Sequence, residues 1–416
     1  MTTVPPTSAP RFASLQHRNF KLLWAGLIVS NTGTWMQNVA QGWLVLQLTN
    51  SPFWLGLLGL SFALPMIILP LVGGAVVDRI DRIKLLYVTQ TGAMLTALIL
   101  AILTWTGTVH ISYILIASFF SSALLAFDNP ARQALIPELV PQRDLMNAIS
   151  LNSATYTGAA LVGPAIAGML LAPLGAGSLF FLNALSYLSV IFALASMSKI
   201  PARVSTTPHV SLAKSMLAGL TYAWKNRLIL ALLGLSALAA IFGRSYQNLL
   251  PIFARDIWKG GPAGYGILLS ASGGGALVGA FGLASIRNVK NQGAILISSG
   301  LIFSLTVILF AISPYFWPGV LLLFIGGIAV TVFGTIISTF IQMMVPNELR
   351  GRVMSLYSIT LIGLPSLGAL GIGSVAEMLG GISGAPRAVL IGGTIVGVLL
   401  LMTAPLFWKR TIEKLK

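Results

Sequence analysis

Residues able to carry out acid–base, nucleophilic or metal chemistry are scarce in this sequence of 416 residues. There is no cysteine, and the three histidines, His17, His110 and His209, fall in the N-terminal tail or in predicted loops. A membrane enzyme acting on a lipid or isoprenoid needs clustered acids for metal and phosphate, or His and Cys for ligation or attack. We therefore predict no catalytic residue, no metal site and no cofactor. Such an enzyme, or a receptor that transports nothing, is the alternative function.

Asp128 is the acidic residue best placed to carry a proton. It lies about 17 residues into the fourth apolar stretch, or roughly 25 Å along a helix at about 1.5 Å per residue. Pro130 follows it, and Arg132 lies one turn further on, so an acid here could lose and regain a proton as one side of the protein opens. The alternative is an ordinary i,i+4 pair between Asp128 and Arg132 at the cytoplasmic surface. Glu377 is a weaker candidate.

Polar residues recur on one face of the first apolar stretch. Five polar residues, spaced by three or four positions, share this face, and Trp35 lies beside them: Asn31, Thr34, Gln37, Asn38 and Gln41. The seventh stretch carries a corresponding set: Arg244, Gln247 and Asn248, with Tyr246 beside it. A buried arginine costs about 2.5 to 3.5 kcal/mol at the centre of a membrane helix. We predict that both sets line a substrate cavity, where Arg244 meets water, an acid or an anionic ligand. The alternative is that Arg244 extends to the outer headgroups.

The composition indicates that these residues belong to a membrane protein. Hydrophobic residues make up 56% of the chain, charged residues only 8%, and the mean hydropathy is +0.89. Twelve stretches are long and apolar enough to span a bilayer, for which about 20 residues are needed. We predict an all-α polytopic protein with spans at 20–47, 52–78, 84–107, 111–136, 145–172, 176–198, 227–254, 262–286, 291–313, 315–345, 352–379 and 385–407.

Basic residues give the predicted orientation. If the N-terminus is cytoplasmic, 21 of the 25 Lys and Arg residues fall in cytoplasmic segments. Only Arg244, Arg255, Lys259 and Arg387 remain for the membrane or the far side. This asymmetry follows the positive-inside rule, so the net charge of +16 reflects topology and contact with anionic lipids rather than nucleic acid. We predict a protein of the cytoplasmic membrane with both termini inside.

The sequence also divides into two similar halves. We predict an N-terminal six-helix bundle at 1–198, a cytoplasmic linker at 199–226 with a short amphipathic helix at Leu212–Trp224, and a C-terminal six-helix bundle at 227–416. At an offset of 210, Gln37-Asn38 correspond to Gln247-Asn248, Pro52 to Pro262 and Gly56 to Gly266. At an offset of 205, Val140-Pro141 correspond to Val345-Pro346. Two parallel repeats of this kind place a substrate site between the halves near the midplane.

The loop after the second span carries a specific motif. The segment Gly73-Gly74-Ala75-Val76-Val77-Asp78-Arg79-Ile80-Asp81-Arg82 resembles the cytoplasmic signature of the major facilitator superfamily, with Asp81 in place of the usual second glycine. The whole chain resembles the exporter branch of that superfamily that includes the enterobactin exporter and macrolide efflux proteins. The resemblance implies an inner gate, in which Asp78 faces span 11; the gate residues are Gly74, Asp78, Arg79, Arg82, Arg350 and Arg352. The alternative is that Asp78 only caps and solvates a helix end.

Span 5 carries a second resemblance, in the segment from Ala159 to Gly168 with Gly163 and Pro164. It resembles the superfamily's antiporter signature, which implies export; generic close packing of small residues is the alternative. No phosphate-binding loop of the Gly-Lys-Ser or Gly-Lys-Thr type is present, so the energy source is not a nucleotide bound at such a loop. We predict a secondary transporter that exports a small amphipathic drug-like compound or siderophore in exchange for protons, and the resemblance implies that it acts as a monomer.

Overall fold

The computed structural model describes residues 12–77, 80–198, 212–286 and 291–407, with side chains except at 70–77, 212–218 and 362. The described residues form helices and connecting turns, without a β-strand. We number the helices in chain order: α1 Arg18–Thr49, α2 Pro52–Val77, α3 Arg82–Trp105, α4 Ile111–Leu139, α5 145–174, α6 176–195, α7 Leu212–Lys225, α8 Arg227–Ile257, α9 Gly261–Ser285, α10 Gln292–Ile312, α11 Phe316–Met344, α12 Asn347–Met378 and α13 Ala385–Phe407. Below, α1–α6 are called the N-half and α8–α13 the C-half.

The predicted twelve-span fold is confirmed. Ten helical stretches of the described chain are long and apolar enough to cross a membrane. One of them, Gln142–Ala195, contains both α5 and α6, which are separated at Gly175. Its φ of +74° is a left-handed conformation that glycine adopts at little cost, and Pro173 precedes it. The twelfth span is α1, whose polar face lowers its hydropathy below that of the other spans.

The eighth helix is irregular where its polar residues lie. Within α8, a π-helical turn at Ala239–Gly243 is followed by a 3₁₀ segment at Arg244–Leu249 and a second π turn at Phe253–Ile257. Gly243, the last residue of the first π turn, allows close packing against α10, because a β-carbon there would lie 2.6 Å from the ring of Phe303. Such breaks are frequent at functional sites, since they redirect side chains that a regular helix would aim elsewhere.

Two glycine-lined crossings join the halves. At α2–α12, a β-carbon on Gly56 would lie 2.5 Å from the carbonyl oxygen of Ala369, and one on Gly373 would lie 2.6 Å from that of Pro52. At α5–α9, a β-carbon on Gly266 would lie 2.4 Å from the carbonyl oxygen of Pro164. The sequence offsets of 210 and 205 relate Gly56 to Gly266, and Ala369 to Pro164. The two crossings are therefore the same contact repeated in the two halves.

The predicted amphipathic helix of the linker is observed as α7. It ends at Lys225, one residue beyond the predicted end. Gly219 packs against the start of α12, where a β-carbon would lie 3.0 Å from the carbonyl oxygen of Arg352. The rest of the predicted linker, up to residue 211, lies outside the described residues.

Candidate functional site

Residues on the polar face of α1 both pack against α6 and line a cavity. Thr34 donates a hydrogen bond to the carbonyl oxygen of Ser30 at 3.0 Å and lies 3.3 Å from the hydroxyl oxygen of Tyr187. Gln37 accepts a hydrogen bond of 2.7 Å from the fully buried Asn183 of α6. Thr34 and Gln37 thus also tie α1 to α6.

A polar cavity lies within the N-half. It measures about 870 Å³, open space included, and we call it the N-cavity. All the cavity residues predicted on α1 contribute to its wall, together with Asp128 and Arg132. Other polar side chains in the wall are Ser30, Thr89, Gln90, Ser118, Ser121, Asn129, Tyr156 and Tyr187.

Asp128 occupies a buried hydrogen-bonded position in this wall. Its carboxylate accepts hydrogen bonds from the Thr89 hydroxyl at 2.9 Å and the Gln90 amide at 2.7 Å, and it is ion-paired with Arg132. The side chains of Asp128 and Arg132 are 3% and 11% exposed. The i,i+4 pair predicted as the alternative therefore exists, but it lies at the cavity wall and not on an open surface. A proton-carrying role of Asp128 stays a prediction.

A second cavity lies mainly in the C-half. It measures about 1370 Å³, open space included, and we call it the C-cavity. Arg244 and Gln247 of α8 contribute to its wall, with Tyr357 of α12. Three hydroxyl residues of α11, Thr331, Thr335 and Ser338, add polar groups. No acidic side chain belongs to this lining, and Arg244 forms no ion pair with any acid in the described part of the chain.

The three other residues predicted on α8 to line the cavity lie in different surroundings. Gln247 donates to the hydroxyl of Ser272 at 3.4 Å at the cavity wall. Asn248 instead turns toward α2, where a β-carbon on Gly59 would lie 3.0 Å from its side-chain oxygen. Tyr246 is 2% exposed and packs against Phe310, 5.8 Å away between ring centroids. Tyr246 is therefore a core residue behind the wall and is absent from the linings of both cavities.

Trp35 and Tyr156 connect the two cavities. Their ring centroids are 6.0 Å apart with a tilt of 59° between the planes, and both residues line the N-cavity and the C-cavity. The site as a whole is a pair of polar chambers in a bundle of membrane helices, one containing an internally neutralised ion pair and the other an unpaired guanidinium.

Comparison with known proteins identifies the family. A sequence profile described as "Transmembrane secretion effector", a group within the major facilitator superfamily, matches residues 9–412. The chain belongs to this superfamily of membrane transporters. The family recognised from the sequence motifs is thereby confirmed.

Relatives of this chain include named transporters and a solved structure. A staphyloferrin A transporter of Staphylococcus aureus is 25% identical, with 84% of this chain and 87% of the relative aligned. An enterobactin exporter, EntS, of Shigella boydii is also 25% identical, with 93% and 92% aligned. Among solved structures, a bacterial homologue of the lysosomal transporter Spinster, in an inward-facing unoccupied conformation, superposes with a TM-score of 0.76 at 13% identity, covering 97% and 99% of the two chains. At that identity the similarity shows the fold alone.

The segment of α5 from Ala159 to Gly168 contacts α1 in its own half and α9 in the other half. A β-carbon on Gly163 would lie 2.6 Å from the β-carbon of Trp35, so α1 and α5 approach closely beside the cavity junction. One on Gly168 would lie 3.1 Å from the carbonyl oxygen of Pro262 in α9. Pro164 supplies the carbonyl group that meets Gly266. The segment thus forms the N-half side of the α5–α9 crossing, one of the two described crossings between the halves.

The residues predicted for an inner gate are only partly described. Asp78 and Arg79 lie outside the described residues, and Gly74 lies near the end of α2. Arg82 is ion-paired with Glu138 of α4, within its own half. Arg350 is exposed, and Arg352 lies where α7 meets α12. A latch between Asp78 and span 11 therefore stays a prediction.

At the end of the bundle that contains the turn between α1 and α2, charged side chains of the C-half bind this turn and close that end. Arg255 of α8 donates to the carbonyl oxygen of Leu46 at 3.0 Å and also hydrogen-bonds to the side chain of Asn50. Glu377 of α12 accepts from the Ser51 hydroxyl at 2.7 Å and from the backbone N–H of Phe53 at 3.4 Å. A cation thus meets the C-terminus of α1 and an anion the N-terminus of α2, as the helix dipoles favour.

Sequence reasoning missed part of the site. Thr89 and Gln90 of α3 were not singled out, although they surround Asp128. The hydroxyl residues of α11 carried a usable signal, because Thr331, Thr335 and Ser338 are spaced by four and three residues and so share a helix face. Asn183 shares a helix face with Ser186 and Tyr187, three and four residues further on, but this spacing does not reveal that its partner is Gln37.

Proposed function

We propose that this transporter exports a small amphipathic molecule, of the siderophore or drug-like class, across the cytoplasmic membrane by alternating access and in exchange for protons. The observation that carries the proposal is Arg244, a guanidinium that lines a cavity between helices and has no acidic partner among the described residues. An arginine in such a place binds carboxylate or phenolate oxygens strongly. The surrounding hydroxyls and aromatic rings suit the remainder of an amphipathic molecule.

The names of the relatives support the substrate class and the direction. Two of them are named as a staphyloferrin A transporter and an enterobactin exporter. With both termini in the cytoplasm, as the basic residues predict, the end closed by Arg255 and Glu377 faces outward. The cavities would then load from the cytoplasm, which is the state an exporter needs before it changes conformation.

Proton coupling is assigned to Asp128 and Arg132. Protonation of Asp128 would remove its charge and free Arg132 from its ion pair, changing the field inside the N-cavity. Asp78, with Arg350 and Arg352, would close the inner side in the opposite state. Asp78→Asn is then expected to slow the closing of the inner side and to lower the transport rate. The transporter would act as a monomer surrounded by membrane lipid.

The test uses inside-out vesicles that contain the protein, an imposed proton gradient and a panel of catecholate, macrolide, tetracycline and dye compounds. We expect gradient-dependent accumulation of an anionic or neutral amphipathic compound, and at least a tenfold loss of that accumulation in Arg244→Gln. Lys259→Gln is the matched control, since it removes a positive charge at an exposed position outside both cavities. Accumulation of none of the compounds, or equal accumulation by Arg244→Gln, would overturn the proposal.

A further inference from the structure

An apolar groove lies on the outside of the C-half, between α12 and α13. It consists of two adjoining clefts of about 530 and 720 Å³, open space included, which share Ile391 and Ile395. Leu367, Val375 and Ile391 in its walls are exposed apolar residues within membrane spans, so the groove faces lipid. We call it the α12–α13 groove and define it by six wall residues: Phe242, Leu367, Gly371, Val375, Ile391 and Ile395.

The groove is a gap between helices that are held together beside it. A β-carbon on Gly368 of α12 would lie 2.1 Å from the carbonyl oxygen of Ile241, and one on Gly392 of α13 would lie 2.4 Å from that of Phe242. Both helices therefore rest on the first π turn of α8, which forms the floor of the groove. Gly371 lies almost one turn beyond Gly368, and nothing lies within 4 Å of a β-carbon there. The space beside Gly371 is therefore open.

The length of the groove matches one leaflet of a bilayer. Its wall on α13 extends from Ala388 to Leu399, which is about 16 Å at about 1.5 Å per residue. Half of the hydrocarbon core of a membrane is about 15 Å thick. Ser245 and Thr394 are the polar residues of the described lining, and the Thr394 hydroxyl donates to the carbonyl oxygen of Leu390 at 2.8 Å. The groove therefore suits an acyl chain.

A positive charge lies beside the end of the groove that is nearer the headgroups. Arg387 is in the first turn of α13, at the closed end of the bundle, and precedes Ile391 by one turn on the same side of the helix. It is exposed and forms no ion pair with any acid that the structure describes. Arg244 lines the C-cavity and Arg255 binds the α1–α2 turn, whereas Arg387 takes part in neither contact. A phosphate group is a strong partner for such a guanidinium.

We propose that the α12–α13 groove binds one phospholipid from the leaflet at the closed end, with an acyl chain in the groove and the phosphate at Arg387. The chain lies against Ile241 and Phe242, in the turn that precedes Arg244. The lipid thus supports α8 where its regular hydrogen bonding is interrupted. The site is separate from the N-cavity and the C-cavity, with which its lining shares no described residue.

The test for the phosphate contact uses native mass spectrometry of the purified full-length protein in detergent, titrated with two probes. Dioleoylphosphatidylglycerol carries the phosphate, and dioleoylglycerol has the same chains without it. We expect Arg387→Gln to weaken the first binding step of the phospholipid about fivefold, as expected for one interfacial arginine, and that of dioleoylglycerol less than about twofold. Lys259→Gln is the matched control, because it removes an exposed positive charge at the same end, outside the groove.

The test for the acyl-chain contact fills the groove. We expect Gly371→Leu to weaken binding of both probes about fivefold or more, because the new side chain enters open space that the acyl chain needs. Gly234→Leu on α8 is the matched control, since nothing lies within 4 Å of its β-carbon either and it is outside the groove. Val375→Phe fills the groove from the next turn of α12 and should act like Gly371→Leu, which covers the case in which that variant does not fold.

Each outcome supports or overturns the site. If the groove-filling variants bind both probes as well as Gly234→Leu does, the acyl-chain site is overturned. If Arg387→Gln binds the phospholipid as well as Lys259→Gln does, or loses both probes equally, the phosphate contact is overturned and the phospholipid with it. No transported substrate enters these measurements, so their failure leaves the proposed export function standing, and a failed vesicle assay leaves the lipid site standing.

Discussion

Asp128 is held by structural contacts at the position where we propose the proton site. It has three partners, Thr89, Gln90 and Arg132, and all three lie in the wall of the N-cavity. A buried ion pair contributes little net stability, but removing one partner leaves a costly unpaired charge. A proton arriving at Asp128 would therefore have a large local effect, because it leaves Arg132 without its counter-charge.

The corresponding prediction concerns Asp128→Asn. We expect proton-driven accumulation in inside-out vesicles to fall at least tenfold, because an amide cannot exchange the proton, while substrate exchange without a gradient changes less than threefold. Asp144→Asn is the control, since it breaks another buried acid's pair in the N-half, with His17, outside the N-cavity and the predicted gate. Unchanged gradient-driven accumulation in Asp128→Asn would place the proton site elsewhere, and an equal loss in Asp144→Asn would indicate a general structural effect.

Helix crossings in this protein depend on glycines that face backbone carbonyl groups. Membrane helices gain little from burying apolar side chains against each other, so small residues that permit close contact have a large role in their packing. Gly56 and Gly266 meet Ala369 and Pro164 in equivalent ways at the α2–α12 and α5–α9 crossings. The repeat in the sequence thus produces a repeated contact between the halves.

Gly266→Ala tests this contact. Its β-carbon would lie 2.4 Å from the Pro164 carbonyl oxygen, so α5 and α9 must separate, at a cost of about 1 to 3 kcal/mol. We expect a lower unfolding temperature in detergent, measured by tryptophan fluorescence. Gly282→Ala on the same helix is the control, because nothing lies within 4 Å of its new β-carbon. A similar decrease in both variants would mean that the helix, and not the crossing, is affected.

At the scale of the whole molecule, the closed end joins the halves through polar contacts. Arg255 and Glu377 belong to the C-half and bind the turn between α1 and α2 of the N-half. At the other end, described ion pairs such as His17–Asp144 and Arg82–Glu138 stay within the N-half. Alternating access requires the contacts of the closed end to break while each half moves largely as a unit.

This arrangement can be tested by cross-linking, since the chain has no cysteine of its own. The Ser51 hydroxyl and the Glu377 carboxylate are 2.7 Å apart, so cysteines at the two positions are within reach of a short bifunctional methanethiosulfonate. We expect the reagent to stop transport in the Ser51→Cys, Glu377→Cys double variant, and a reducing agent to restore it. Each single variant, treated in the same way, is the control. Full transport by the cross-linked protein would show that this end need not open.

The sequence by itself determined the membrane bundle, its twelve spans, the family and the polar face of α1, because hydropathy, helical period and short motifs are local properties. The tertiary structure decided which polar residues face a cavity. Gln41 lines the N-cavity, while Asn248 faces α2 and Tyr246 is packed in the core. Helical periodicity places residues on a common face but does not give the rotation of that face relative to other helices. Where α8 departs from regular geometry, even the common face is lost, and contacts between distant segments decide each side chain's surroundings.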